Sequence, residues 1–219
     1  SALLSHQTAF FGGTMSAEHI ADSLQADIIT GRFKPGAELK QGEIAKRFQV
    51  SRIPIRDALQ LLAARGLIDL VPNRRARVIS LTRDEIREIY DIRILLECNC
   101  LAVAIDQIRD TDLERISAAF RHSSIDAETA NWSDGDWAFH KALYWPSGKA
   151  RQIGMIDQLR QTCRIHISGY GILPGQTAQW LKDHQDIVGA CHTRDSERAT
   201  RVLKLHIEAA GRTLLDAIP

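Results

Sequence analysis

Only 6% of the 219 residues are aromatic, and there are four cysteines, six prolines and two methionines. Cys98, Cys100, Cys163 and Cys191 show no CxxC spacing, and they fall in stretches that read as helix. A disulfide framework is therefore not expected, and reduced, mostly buried thiols in a cytoplasmic protein are. No stretch reaches the ~18 apolar residues a membrane span needs, so no membrane partner is expected. Residues 1–15 lack the basic start and long apolar run of a signal peptide and read as a flexible arm or tag. Asn131-Trp132-Ser133 matches a glycosylation sequon, but nothing else suggests secretion. No run of like charges stands out, no HExxH motif occurs, and no strand-like alternation appears after residue 80.

Hydrophobic residues make up 44% of the chain, enough for a substantial core, and the length suits one large domain or two small ones. The net charge of +1 hides an asymmetry. Residues 1–80 hold 11 Lys/Arg against 7 Asp/Glu, and residues 81–219 hold 17 against 20. A basic start joined to an acidic remainder suits a nucleic-acid module tethered to something else.

The basic part is organised around Ser51 to Gln60. Ser51 is a good N-cap by residue type, because its hydroxyl can accept from a free amide of the first turn. Pro54 falls in that turn, where its missing N–H costs little. Ile55, Ala58, Leu59 and Leu62 form one apolar stripe, and Arg52, Arg56 and Gln60 lie together on another face. Arg can pair with guanine and Gln with adenine in the major groove. Before this helix, Ser16 to Gly31 reads as a first helix, Lys34-Pro35-Gly36 as a turn, and Gln41 to Phe48 as a second helix. After it, Gly66 suits a helix end, and Leu67–Val71 and Ala76–Ile79 flank the turn Pro72-Asn73-Arg74-Arg75 as a hairpin. Arg74, Arg75 and Arg77 at its tip would lie near phosphates or in the minor groove. The expected fold of residues 16–80 is a winged helix-turn-helix.

Ile29-x-Gly31, Pro35-Gly36-x-x-Leu39, Ile44-Ala45, Val50-Ser51-Arg52-x-Pro54-Ile55-Arg56-x-Ala58-Leu59, Leu62 and Gly66-Leu67-Ile68 closely resemble the DNA-binding domain of the GntR family of bacterial transcription regulators. The resemblance covers about residues 20–79. It implies that Arg52 and Arg56 contact operator bases or phosphates and that the wing tip enters the minor groove. Three positions depart from the family pattern. Gly42 stands where Arg is frequent, Ile53 where a small polar residue is usual, and Arg75 where the wing turn usually has Gly. A non-Gly residue there would be strained if the position needs a positive φ.

Residues 82–219 read as an all-helical bundle, so the chain as a whole is expected to be mainly α. Thr82 with Glu85 is a capping box that opens a long helix to about Gln107. Arg93 interrupts its stripe of Ile86, Ile89, Leu96 and Cys100. Further helices read as Asp110 to about Glu128, Asn131–Trp145, Ala150 to about Gly169, Gln176–His192 and Asp195–Ala217. His184 and His206 sit within apolar stripes, and Asp136 precedes His140 by one turn. Asp136, His140, His184 and His206 could converge on one divalent cation, zinc first, with nickel, manganese or iron also suited. The alternative is three neutral core histidines bonded to backbone carbonyls, with Asp136 on the surface.

Arg93-x-x-x-Glu97, Asp136-x-x-Phe139-His140-x-x-Leu143, Ser147-Gly148, His184-x-x-Ile187-x-x-Ala190 and His206 resemble the helical FCD-type effector domain of the FadR-like branch of that family. The resemblance covers about residues 82–217 and implies a metal held by Asp136, His140, His184 and His206. It further implies a small carboxylate effector in the same cavity. Lys149 and Asp183 depart from the usual Asn and Glu, and neither is an expected ligand. His122, His166 and His192 lie outside the pattern. Arg93 could clamp the effector's carboxylate or form a structural ion pair with Glu97. Trp132, Trp137, Tyr170 and Trp180 could shape the cavity. Taken together, the expectation is a ligand-responsive homodimeric regulator of operator DNA, not an enzyme, with repression relieved by a small organic acid as the family's commoner logic. A metal-dependent enzyme and a metal-free dimerisation bundle are the alternatives.

Overall fold

The computed structural model describes residues 15–71, 75–127, 129, 132–172 and 177–218. The chain begins with α1 (Ala17–Ile29), whose N-cap Ser16 accepts from the His19 amide. Gly31 follows it with φ +77°, a left-handed conformation open to glycine at little cost. Helix α2 (Gln41–Phe48) ends at Gln49, whose φ of 55° makes the tight turn into α3 (Arg52–Ala64). Ser51 is the N-cap of α3 by position, but its side chain makes no capping bond, contrary to the expectation from residue type.

Strands β1 (Ile68–Val71) and β2 (Arg75–Val78) pair antiparallel, from Ile68 opposite Val78 to Val71 opposite Arg75. On the far side of β2, the Leu39 amide donates to the Ala76 carbonyl and the Val78 amide to the Ala37 carbonyl. Arg75 is the first residue of β2 and has no positive φ, so the strain expected there is absent. The ladder explains why: its pairing with Val71 holds it extended. The turn residues Pro72, Asn73 and Arg74 lie outside the described residues. Ile20, Leu24, Ile28, Ile55, Leu59, Leu62 and Leu67 close one core under this head.

The remaining helices are α4 (Arg83–Gln107), α5 (Asp110–Asp126), α6 (Trp132–Tyr144), α7 (Ala150–Gly169), α8 (Thr177–His192) and α9 (Ser196–Ala217). A short 3-10 turn, Trp145–Ser147, follows α6 at Pro146. The capping box at Thr82 forms in both directions: Thr82 Oγ1 accepts from the Glu85 amide, and Glu85 accepts from the Thr82 amide. Helix α4 packs along α9 and α7, with α5, α6 and α8 completing a bundle around Phe139, Leu143, Tyr144, Ile187 and Leu203. None of the described helices is long and apolar enough to cross a membrane.

The two halves meet along α7. Ile165 belongs to α7, yet its side chain is fully buried in the head's core. His166, the next residue, accepts from the Leu81 amide at 3.0 Å and holds the link between head and bundle. Glycines allow the close approach. A Cβ on Gly31 would come within 2.6 Å of the Ser168 carbonyl oxygen, and one on Gly169 would run into the Pro35 ring.

Candidate metal centre and nucleic-acid interface

On α3 the apolar stripe of Ile55, Ala58, Leu59 and Leu62 is buried. The opposite face leaves Arg52, Arg56 and Gln60 exposed. Arg52, Ile53 and Arg56 line one open groove with Lys40, Gly42 and Arg75, enclosing about 450 Å³. The structure thus brings the recognition-helix arginines together with the base of the wing. Gln60 lies a turn further along α3, and Arg77 is exposed on β2 opposite Asp69. Arg74 is outside the described residues. Ile53 is 70% exposed, a large apolar side chain between Arg52 and the other cations of that groove, which Glu38 also lines.

In the bundle, α6 contributes Asp136 and His140, α8 contributes His184, and α9 contributes His206. One ligand atom from each lies within 4.8 Å of the others. The His184 ring centroid is 4.9 Å from that of His140 and 4.9 Å from that of His206. Asp136 Oδ1 is 3.7 Å from His140 Nε2 and 3.5 Å from His184 Nε2. The bland alternative, core imidazoles bonded to backbone carbonyls, does not describe this site. His140 Nε2 and both ring nitrogens of His184 are buried without a hydrogen-bond partner, a costly state for polar atoms unless something binds them.

The surroundings fix which nitrogens carry protons. Tyr144 donates to Glu97 Oε2 at 2.6 Å, so its oxygen is left to accept from His140 Nδ1 at 3.1 Å. His140 is then the Nδ1–H tautomer, with the Nε2 lone pair facing Asp136. His206 Nδ1 donates to Asp183 Oδ2 at 3.1 Å, which turns the opposite ring nitrogen, Nε2, toward the site. Such outer partners orient metal-binding imidazoles. Burial, reinforced by Arg160 and neighbouring imidazoles, holds His140 well below its ordinary pKa. Burial, with His206 and Arg160, does the same for His184. Both are neutral at pH 7 and need lose no proton to bind a cation. Borderline imidazole with one carboxylate suits a divalent first-row metal, and the four residues fit one.

Beside this group lies a buried ionic cluster. Arg93 Nε donates to Glu97 Oε1 at 2.7 Å. Arg160 donates from Nη1 to Glu97 Oε2 at 2.9 Å and from Nη2 to Asp136 Oδ2 at 2.5 Å. Burial alone would raise the Glu97 pKa, but Arg93, Arg160 and Tyr144 hold it below the ordinary carboxylate value. Arg93 therefore makes the ion pair, while also lining a cavity of about 50 Å³ with Arg160, Asp136, Trp137, Trp180 and His206. Trp132 stacks on Trp180 behind it, at 6.1 Å between centroids. Tyr170 does not line that cavity and packs near His166 instead.

Sequence reasoning missed Arg160 and Asp183. Arg160 had a readable signal: it interrupts the buried series Ile153, Ile156, Cys163 on α7, just as Arg93 interrupts the stripe on α4. Asp183 stands at an acidic position of the family pattern, but nothing in the sequence pairs it with His206, which is on another helix.

Comparison with known proteins gives these features a family. Residues 16–78 match the model for bacterial regulatory proteins of the gntR family, and residues 88–209 match the FCD domain. The chain belongs to the GntR family. It is a DNA-binding transcription regulator that carries an FCD domain. It is 35% identical over 195 residues to YdhC of Bacillus subtilis (strain 168), an uncharacterized HTH-type transcriptional regulator, covering 84% of each chain. It is 26% identical to the HTH-type transcriptional repressor GlaR of Escherichia coli (strain K12), covering 84% of this chain and 89% of that one. Among solved structures, a putative GntR regulator from Rhodococcus sp. RHA1 shares the fold with a TM-score of 0.78 at 24% identity, over 93% of this chain and 99% of that one. These relatives are regulators rather than enzymes.

Proposed function

We propose that this regulator is a cytoplasmic homodimer that binds a palindromic operator and is controlled by a divalent metal and a small organic acid in the FCD domain. The observation that carries the metal reading is the set of buried, unpartnered imidazole nitrogens on His140 and His184, with Asp136 and His206 beside them. When bound, the metal supplies a Lewis-acidic contact for an anionic ligand. Charge balance supports an anion there. Arg93 and Arg160 are offset by Glu97 and Asp136, and His140 and His184 are neutral. A dication added to this buried set leaves it positive, and a carboxylate lowers that excess. The cavity of about 50 Å³ favours a small one, since one water needs ~10–15 Å³ by the same kind of measure.

On the DNA side, Arg52 and Arg56 read the major groove, helped by Ser51 and Gln60, while Arg75 and Arg77, with Arg74, hold the wing to the backbone or minor groove. Two copies present two recognition helices about one helical turn apart. Metal analysis of purified protein, with His184→Ala and His206→Ala beside it, tests the site. About one metal ion per chain, lost in both variants, is the expected result. A wild type free of stoichiometric metal after growth and purification without chelators would make the bundle a metal-free dimerisation module. Thermal-shift screening of small carboxylates against the metal-loaded protein then finds the effector, as a raised melting temperature.

A further inference from the structure

Helix α7 carries both a contact to the proposed metal centre and the contacts that hold the head. Arg160 bridges Asp136 and Glu97. Five residues on, about 7.5 Å along the helix axis, Ile165 fills the head's core and His166 holds the Leu81 amide. We propose that α7 is the element through which occupancy of the Asp136 site reaches the DNA-binding head, with Arg160 as the positioning residue that senses it. This rests on the metal reading of Asp136.

The same carboxylate serves both sides. Asp136 Oδ2 takes Arg160, while Oδ1 faces His140 and His184. A dication among those imidazoles draws on the Asp136 charge and repels the guanidinium. The tie between α6 and α7 weakens at Arg160. The other ion pair between α6 and α7 among the described residues, Arg164 to Asp134, ends on an exposed carboxylate and resists little. At the other end the seam is closely packed at two points. Gly31 sits against the Ser168 backbone and Gly169 against Pro35, with no space for slack. A small displacement of α7 therefore has to loosen the His166–Leu81 bond or move the head.

Amide exchange at Leu81 in the full-length protein reads this directly, with zinc alone as the probe. A metal that acts only as a structural clamp slows exchange throughout the bundle and its link, because it stabilises the folded state. The coupling makes the opposite sign at one place: zinc loading should speed Leu81 exchange about fivefold, the worth of one ordinary hydrogen bond. Arg160→Lys keeps the cluster's charge but replaces the two-armed fork with a single ammonium. It should still bind zinc and show no acceleration at Leu81. Arg160→Gln should behave likewise if it folds, and the lysine variant carries the test if it does not. Zinc bound at one per chain without faster Leu81 exchange overturns the coupling alone, as does equal acceleration in Arg160→Lys. No zinc bound at all overturns the metal reading and the coupling with it.

Discussion

Replacing Tyr144 with phenylalanine removes one oxygen and leaves the ring in place. That oxygen has two jobs. It donates to Glu97 at 2.6 Å and accepts from His140 Nδ1 at 3.1 Å, in a fully buried setting. Its loss deprives a carboxylate of a donor, worth about 1.5–3 kcal/mol for a bond to a charged group. The stranded imidazole N–H adds to this, so Tyr144→Phe should lower unfolding free energy by about 2–4 kcal/mol. Glu97 keeps Arg93 and Arg160, so the cluster survives. The metal effect is separable. Without Tyr144 no other described residue is bonded to Nδ1 to hold its proton there, and a tautomer with the proton on Nε2 cannot ligate through that nitrogen. Loss of an outer-shell partner costs about 10–100-fold in metal affinity. Urea unfolding of the metal-free protein measures the first quantity, and zinc competition against a chromophoric chelator the second. Both should fall. If stability drops as expected while zinc affinity stays within twofold of wild type, the assignment of His140 as an oriented ligand is wrong.

The remaining outcomes concern the head, the seam and pH. Arg52→Ala with Arg56→Ala should weaken operator binding by tenfold or more in a mobility-shift titration, as each bidentate base contact is worth about 1–3 kcal/mol; unchanged binding would sink the recognition-helix assignment. Ile53→Thr with Gly42→Arg should change the sites recovered by selection from random DNA. There is room for the new side chain, since a Cβ on Gly42 would meet only Arg52 Nη2 at 3.9 Å; identical sites would refute the idea that these positions set preference. Ile165→Ala should cost about 2–5 kcal/mol of stability in denaturant unfolding, as for other buried aliphatic truncations; a cost near zero would mean that α7 does not hold the head. His140, His166 and His184 all have pKa values below the ordinary 6.5, mainly through burial. As pH falls below about 6.5 the unfolded chain takes up protons first, so metal-free stability should fall, by at most about 1.4 kcal/mol per pH unit for each histidine. His166→Gln should flatten that slope, by no more than one such contribution, between pH 6.5 and 5.5; an unaltered slope would show that His166 does not stay neutral.

Local signals in the chain were enough for most helices. The Thr82–Glu85 box opens α4 where residue types say it should, and Pro146 ends α6 in a 3-10 turn. The inward set of His140, His184 and His206 was legible because helical spacing puts each within an apolar stripe. What spacing could not supply was the partner of each side chain. Arg93 stood between an effector clamp and an ion pair, and only three dimensions bring Glu97, Tyr144 and Arg160 to it. Ser51 shows the converse failure. It has the right type and position for a cap, yet its hydroxyl makes no capping bond. Residue type states what a hydroxyl can do, while the local backbone decides whether it does so. The family pattern puts a glycine turn at the position of Arg75, but here the β2 ladder begins at that residue and holds it extended.

The placement of Ile165 changes how the two halves must be thought of. A head built from three short helices and a hairpin has little apolar surface to spare, and small folds are marginal for that reason. Here a fully buried side chain from α7 completes its core. The head is thus stabilised by a residue that lies almost a hundred positions beyond Leu67 in the chain. That side chain lies five residues from Arg160 and two from Cys163 at the cavity wall. Any change that shifts or rotates α7 to suit an occupant of the cavity must also change how Ile165 sits under α1 and α3. Packed cores resist continuous deformation, so the response open to the head is a change of position rather than a gradual softening, which is what a switch in operator affinity needs.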